Sequence, residues 1–358
     1  MFEAALQVQI FYTFTVIIVL LYNLYVFCSP LRIRLNPQIN YIFVIIISLF
    51  AIMIIGYREW WAEDFFGDSI RYGYAYLQVS TTEIDQNHDL GYSILMFICR
   101  NLNLSVNSFF IVCASLYIVP LLLSVKKLDE CNSLVFFIAI ITSMSFFPYG
   151  VNGIRNGIAT SLLLWAYSYN KLTVKTLLIF IIALSFHIST ILSLLFWFLS
   201  IRFSSERKIL MIWFLAIPFS FVLSGSVASL GDIFGGIFKN RVEGYLSNNA
   251  SLDDFSTIGF RYDFLVYSFI PIFLNSFLFK NVHQTKTYKR IYYTYILTNA
   301  FWILINQVPF SNRFAYLSWF LMPIVFIYPL LYGQYFKRPY LIISFSLTLY
   351  CILTLIIK

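Results

Sequence analysis

Residues 149–160 read YGVNGIRNGIAT and join two apolar runs, 133–148 and 153–169. Arg155 falls one turn into the second run. A charged side chain at the centre of a membrane helix costs about 2.5–3.5 kcal/mol on insertion scales. Something has to offset that cost, and the neighbouring residues indicate what.

The whole chain is apolar enough for the question to be a membrane question. Of 358 residues, 60% are hydrophobic and 11% charged, with a mean hydropathy of +0.80. Soluble domains carry about 25% charged residues. Aromatics make up 20% of the chain, which suits repeated interfacial belts. The net charge of +8 then reflects basic cytoplasmic loops and not a nucleic-acid surface. Cys28, Cys99, Cys113, Cys131 and Cys351 form no C-x-x-C pair and read as small core hydrophobes. The opening MFEAALQVQ has no basic n-region, so no cleavable signal peptide is expected.

Runs of about 17–25 apolar residues mark crossings. Twelve are expected, in an all-α polytopic domain covering 1–358: 7–28, 40–57, 107–125, 133–148, 153–169, 173–186, 188–201, 208–224, 263–280, 289–306, 313–333 and 340–357. The pair 173–186 and 188–201 is short for two upright spans. Residues 91–104 form a further short helix that does not cross alone. Loops at 29–39, 126–132, 170–175, 202–208, 280–290 and 334–339 hold 15 of the 24 basic residues and three of the 16 acids. That side is read as cytoplasmic, which puts both termini outside. Two long outer loops, 57–91 and 225–262, carry aromatic stretches such as EDFFGDSIRYGYAYL, expected as short amphipathic helices on the membrane. No repeat supports an inverted-repeat transporter.

This topology gathers Arg58, Arg71, Arg155, Arg261, Arg313 and His187 at the outer leaflet, where basic residues are otherwise sparse. Asn152, Gly153, Asn156 and Gly157 surround Arg155. A helix N-terminus offers free amides and a positive dipole end, and arginine adds a planar fork suited to phosphate. Arg313, in SNRFAY after Pro309, Ser311 and Asn312, has the same setting. An anion at the outer interface is therefore the expected offset. His187, beside Ser189 and Thr190, is either a packed core histidine or an acid–base group. Asp68, Tyr72 and Tyr76 fall on one helical face. Asp68 and Asp89 each precede a helix and read either as caps or as carboxylates that activate a hydroxyl. Nucleotide-binding, zinc-protease and serine-hydrolase motifs are absent, and no metal is expected.

Taken in order, Arg58, then Gly67-Asp68-x-x-x-Tyr72-x-x-x-Tyr76, then Gly91-Tyr92, Arg155-x-x-x-Ala159, Ser185-Phe186-His187-x-Ser189 and Asn312-Arg313-x-x-Tyr316 resemble the EpsG/Wzy-type family of O-antigen and exopolysaccharide repeat-unit polymerases. The resemblance spans about 50 to 330. It differs at Asp89, where the family often carries Glu, and this argues against a catalytic role there. The resemblance implies a GT-C-like bacterial inner-membrane glycosyltransferase whose two large loops and active site face the periplasm. Such enzymes move a glycan from undecaprenyl diphosphate onto the next lipid-linked repeat unit, with no nucleotide sugar, metal or cofactor and often with a chain-length regulator. On this reading Asp68, His187, Arg155 and Arg313 are catalytic, with Asp68 or His187 as base. Arg58, Arg155, Arg313, Arg261, Tyr72, Tyr76, Asn152, Asn156, Asn312 and Tyr316 bind diphosphate or glycan. A lipid-linked oligosaccharide ligase, a flippase or transporter, a membrane O-acyltransferase and a non-enzymatic membrane protein are the rival readings.

Overall fold

The computed structural model describes residues 2–28, 36–84, 89–169, 171–203, 205–223, 260–278, 285–307, 311–333 and 338–357. These residues are helical with no strand. In chain order the helices are α1 (Phe2–Cys28), α2 (Pro37–Gly56), α3 (Glu63–Phe66), α4 (Ser69–Gln78), α5 (Leu90–Asn101), α6 (Val106–Leu128), α7 (Ser133–Ile141), α8 (Phe146–Val151) and α9 (Ile154–Tyr167). There follow α10 (Val174–Phe186), α11 (Thr190–Ser200), α12 (Glu206–Leu223), α13 (Tyr262–Phe273), α14 (Lys286–Leu304), α15 (Asn312–Trp319), α16 (Met322–Tyr332) and α17 (Pro339–Ile357).

The starts are set by ordinary capping chemistry. The Asn36 side chain accepts from Gln38 N–H ahead of Pro37, Ser105 caps α6 and Thr285 caps α14. Thr173 and Thr176 close a reciprocal box at α10. Such side chains take up amides that a first turn leaves without acceptors.

All twelve expected segments are helical where described, in one or two pieces. By length and composition, five stretches among the described residues can cross a membrane: Glu3–Cys28, Pro37–Gly56, Val106–Leu128, Phe314–Tyr332 and Pro339–Ile356. The others are shorter. At 1.5 Å per residue, α9 is about 21 Å long and α10 about 20 Å, against a hydrocarbon core of about 30 Å. The 133–148 segment is broken at residues 142–145. There the Thr142 hydroxyl donates to Ile138 O and the Ser143 hydroxyl to Ile140 O, competing with the helix ladder. Within the first outer loop the chain forms α3 and α4. The second, 225–262, lies outside the described residues up to 259.

Packing is that of a lipid-embedded bundle. Apolar side chains such as Leu21, Ile46, Ile181, Val222 and Phe345 are exposed on the flanks, where a water-soluble surface would be polar. Helix α14 is buried along its length, packed against α11, α12 and α15. Several of its polar groups pair inside the bundle, while Thr298 Oγ1 and Trp302 Nε1 are buried without a hydrogen-bond partner among the described residues. Asn299 accepts from Trp213 Nε1 at 2.8 Å and donates to Ser318 Oγ at 3.1 Å. The Tyr295 hydroxyl donates to Ser268 O at 2.7 Å. An unpaired polar group in hydrocarbon costs several kcal/mol, so these contacts fix the rotation of the helix. On α6, α9 and α10, the remaining contacts with α2, α5 and one another place three helix ends together.

Candidate active site

Those three ends are the start of α5, the start of α9 and the finish of α10. Asp89 immediately precedes α5, Arg155 lies in the first turn of α9, and His187 terminates α10. Gly91 brings the first and third into contact: a Cβ there would fall 2.3 Å from Ser185 Oγ and 3.0 Å from the Ser185 carbonyl carbon. Only a residue without a side chain allows α5 to start against the last turn of α10. Beyond it the chain turns at His187, whose carbonyl accepts from Thr190 N–H at 3.2 Å and from the Thr190 hydroxyl at 2.5 Å.

The result is a shared oxygen. Asp89 Oδ2 accepts from Arg155 Nη1 at 2.9 Å and lies 3.4 Å from His187 Nδ1. The Asp89 side chain is 6% exposed, His187 18% and Arg155 22%. The Asp89 carboxylate makes no capping bond to α5, so the cap reading gives way to an ion pair. Two aromatic rings flank the guanidinium, its carbon 5.7 Å from the Tyr72 centroid and 5.9 Å from that of Tyr92. The rings meet edge to face at 5.7 Å. A carboxylate between a guanidinium and an imidazole holds the Nδ1–H tautomer and directs the imidazole's basicity to Nε2.

The other expected site residues divide by what their side chains touch. Arg58 is buried, with Nε donating to Ser69 Oγ at 2.9 Å, Nη1 to Ile55 O at 2.6 Å and Nη2 to Val151 O at 3.5 Å. Its guanidinium also covers the Phe110 ring at 3.9 Å. Burial lowers its pKa to about 10, which leaves it charged near neutral pH. Its fork is spent on tying the end of α2 to α4 and α8. Tyr76 is fully buried, stacked on Phe109, with its hydroxyl on Leu104 O. Thus Tyr72 reaches the Arg155 group and Tyr76 points into the packing one turn later.

Asp68 is 37% exposed and faces Arg71 at 3.7 Å, away from the Asp89 group's contacts. Asn152 Oδ1 accepts from Asp68 N–H at 2.9 Å and presses on Gly67, whose φ of +52° suits glycine. Asn152 therefore clamps the α3–α4 turn onto the α8–α9 turn. Asn156 is buried beside the Tyr149 hydroxyl, and the Tyr149 ring lies 4.7 Å from that of Tyr316. This contact sets the first turns of α15 alongside α8. Asn312 and Arg313 open α15 there, their side chains outside the description. Arg261 forms a two-point pair with Asp263, at 2.9 and 2.5 Å, and its N–H donates to Asn306 Oδ1.

Sequence reasoning weighed Asp89 as a cap or a hydroxyl-activating carboxylate without placing it among the site residues, and it named Tyr92 only within the Gly91-Tyr92 motif. The usable signal was an acid at the mouth of an apolar helix, on the same side as Arg155 and His187.

The fold and this site define a polytopic helical membrane protein with a carboxylate–imidazole–guanidinium centre at one end of the bundle. The family model of the EpsG family matches residues 41–358, and the chain belongs to that family, which is associated with polysaccharide polymerisation at membranes. No curated protein and no solved structure matches it significantly.

Proposed function

We propose that the protein is a polysaccharide repeat-unit polymerase, a glycosyltransferase that uses a glycan carried on undecaprenyl diphosphate in the bacterial inner membrane. The observation that carries this reading is the joint hold of Arg155 and His187 on one oxygen of Asp89. The acceptor is the non-reducing end of a second lipid-linked unit. Its hydroxyl oxygen attacks the anomeric carbon of the donor sugar. The new C–O bond forms as the bond from that carbon to the diphosphate oxygen breaks, and the hydroxyl proton passes to His187 Nε2. Asp89 steadies the imidazolium that results, as in other base–carboxylate pairs. Arg155 and the first amides of α9 face the charge growing on the departing diphosphate, a contribution that elsewhere amounts to several kcal/mol. Arg313, at the start of α15, supplies a second cation on this scheme. The reaction as written calls on no metal or cofactor. The excess of basic residues in the other loops supports a periplasmic site on this scheme, and a chain-length regulator is the expected partner.

The test is purified protein with a lipid-linked repeat unit, the products resolved by length. A ladder that disappears in Asp89→Asn and His187→Gln supports the assignment. One transfer to an unrelated lipid assigns a ligase instead, and movement across vesicles without a new bond assigns a flippase. An undiminished ladder in Asp89→Asn would remove the mechanism.

A further inference from the structure

The opposite, basic end of the bundle holds a cavity that the proposed reaction does not use. It has a volume of about 120 Å³ and lies between the ends of α6 and α9 and the start of α14, lined by Lys127, Ser168, Thr285, Thr287, Tyr288 and Tyr328 over an apolar floor. One water needs about 10–15 Å³ of such space, so a larger group fits. Lys127 and Thr285 are exposed at the rim, while Ser168, Tyr288 and Tyr328 are buried.

The lining has one sign. No carboxylate contributes to it. Lys127 faces the Tyr169 ring at 5.4 Å, and no acid among the described residues is within ion-pair distance of it. The following acid, Asp129, is bonded instead to Asn132 and to the Tyr332 hydroxyl. Hydrogen-bond donors point the same way. The Thr285 hydroxyl takes up Tyr288 N–H, leaving the first-turn amide of Thr287, a lining residue, with no acceptor among the described residues. The wall is rigid: the Tyr288 and Tyr328 rings stack at 3.5 Å, Tyr328 accepts from Thr285 N–H at 3.2 Å, and the Tyr288 hydroxyl donates to Asn275 Oδ1 at 2.5 Å. The Ser168 and Tyr288 hydroxyls donate elsewhere, to Trp165 O and Asn275 Oδ1; Lys127, the Thr287 amide and the Thr285 and Thr287 hydroxyls remain around the cavity and match a phosphate oxyanion.

We propose that this cavity binds a phosphate group, from the head group of an anionic phospholipid or from free phosphate. The proposal is independent of the polymerase reading. The full chain, delipidated in detergent and phosphate-free buffer, is titrated with phosphatidylglycerol, phosphatidylcholine or inorganic phosphate, with bound species counted by native mass spectrometry and melting followed in parallel. Expected is saturable binding of phosphatidylglycerol or of phosphate, weakened at least about tenfold in Lys127→Gln, retained in Lys127→Arg and unchanged in Lys171→Gln at the same end. Binding of phosphatidylglycerol alone identifies the lipid as source, and binding of phosphate alone identifies the free ion. Because Lys127→Gln alters an exposed rim residue, its melting curve verifies folding, and Thr287→Val provides a second weakened variant. Absence of saturable binding by either anion, equal binding of phosphatidylcholine, or undiminished binding in both Lys127→Gln and Thr287→Val overturns the proposal.

Discussion

Gly91 and Ser185 meet so closely that a Cβ on the glycine would lie 3.1 Å from the serine Cβ as well as 2.3 Å from its Oγ. The hydroxyl can rotate aside, but the serine backbone cannot. This contact fixes the spacing of the α5 and α10 ends, and so the reach from Asp89 to His187. Gly91→Val is expected to destabilise the protein by about 1–3 kcal/mol through overpacking. It should slow polymerisation more than that implies, up to about 100-fold, because small misplacements at a reacting centre carry large penalties. Thermal unfolding and ladder formation on the same preparation separate the two effects. A valine variant with wild-type rate would show that the spacing is unimportant.

Because Asp89 serves both Arg155 and His187 through one oxygen, the three should fail as a unit. Asp89→Asn and His187→Gln are each expected to reduce the rate at least 100-fold, and the double variant to be no slower than the slower single one. Groups that act together show this non-additivity. Losses that multiply in the double variant would mean that the two side chains act separately.

Arg58 has no such role in the geometry. Its fork is bound to the Ser69 hydroxyl and to two carbonyls. Hydrogen bonds from a charged donor contribute about 1.5–3 kcal/mol each, so Arg58→Gln should lower stability by about 3 kcal/mol. The molecules that remain folded should keep their donor KM. A raised KM with unchanged melting would return Arg58 to the diphosphate.

The two tyrosines of α4 give a matched comparison. Tyr76→Phe deletes the bond to Leu104 O and should cost about 1 kcal/mol of stability with no change in rate. Tyr72→Ala removes a ring beside the Arg155 guanidinium, a contact of about 0.5–2 kcal/mol, and should slow the reaction about tenfold. Equal effects on rate would show that Tyr72 does not contribute through Arg155.

Helical character was legible because long apolar runs leave few alternatives, and every expected segment proved helical where described. The crossing of individual segments was less legible. The 133–148 segment is interrupted at Thr142 and Ser143, which an apolar run does not reveal. At the site, Arg155 and His187 stood out as polar groups in oily surroundings. Asp89 was open to two readings, cap or active carboxylate, and the Glu that the related family often carries there weighed against the second. Only the approach of α9 and α10 distinguishes a capping carboxylate from one that pairs across the bundle. Arg58 misled for the complementary reason: a sequence shows a charge but not that neighbouring carbonyls consume it.

Asp89 lies 66 positions from Arg155 and 98 from His187 along the chain. During synthesis the acid emerges well before its counter-ion, and the imidazole emerges last of the three. The centre therefore assembles by a long closure, whose entropic toll is met only when α10 docks. Assembly of the centre thus waits on the docking of α10, whose residues lie about midway along the chain. On the proposed function, a lesion that merely delays docking of α10 would yield chains already threaded into the membrane yet chemically silent.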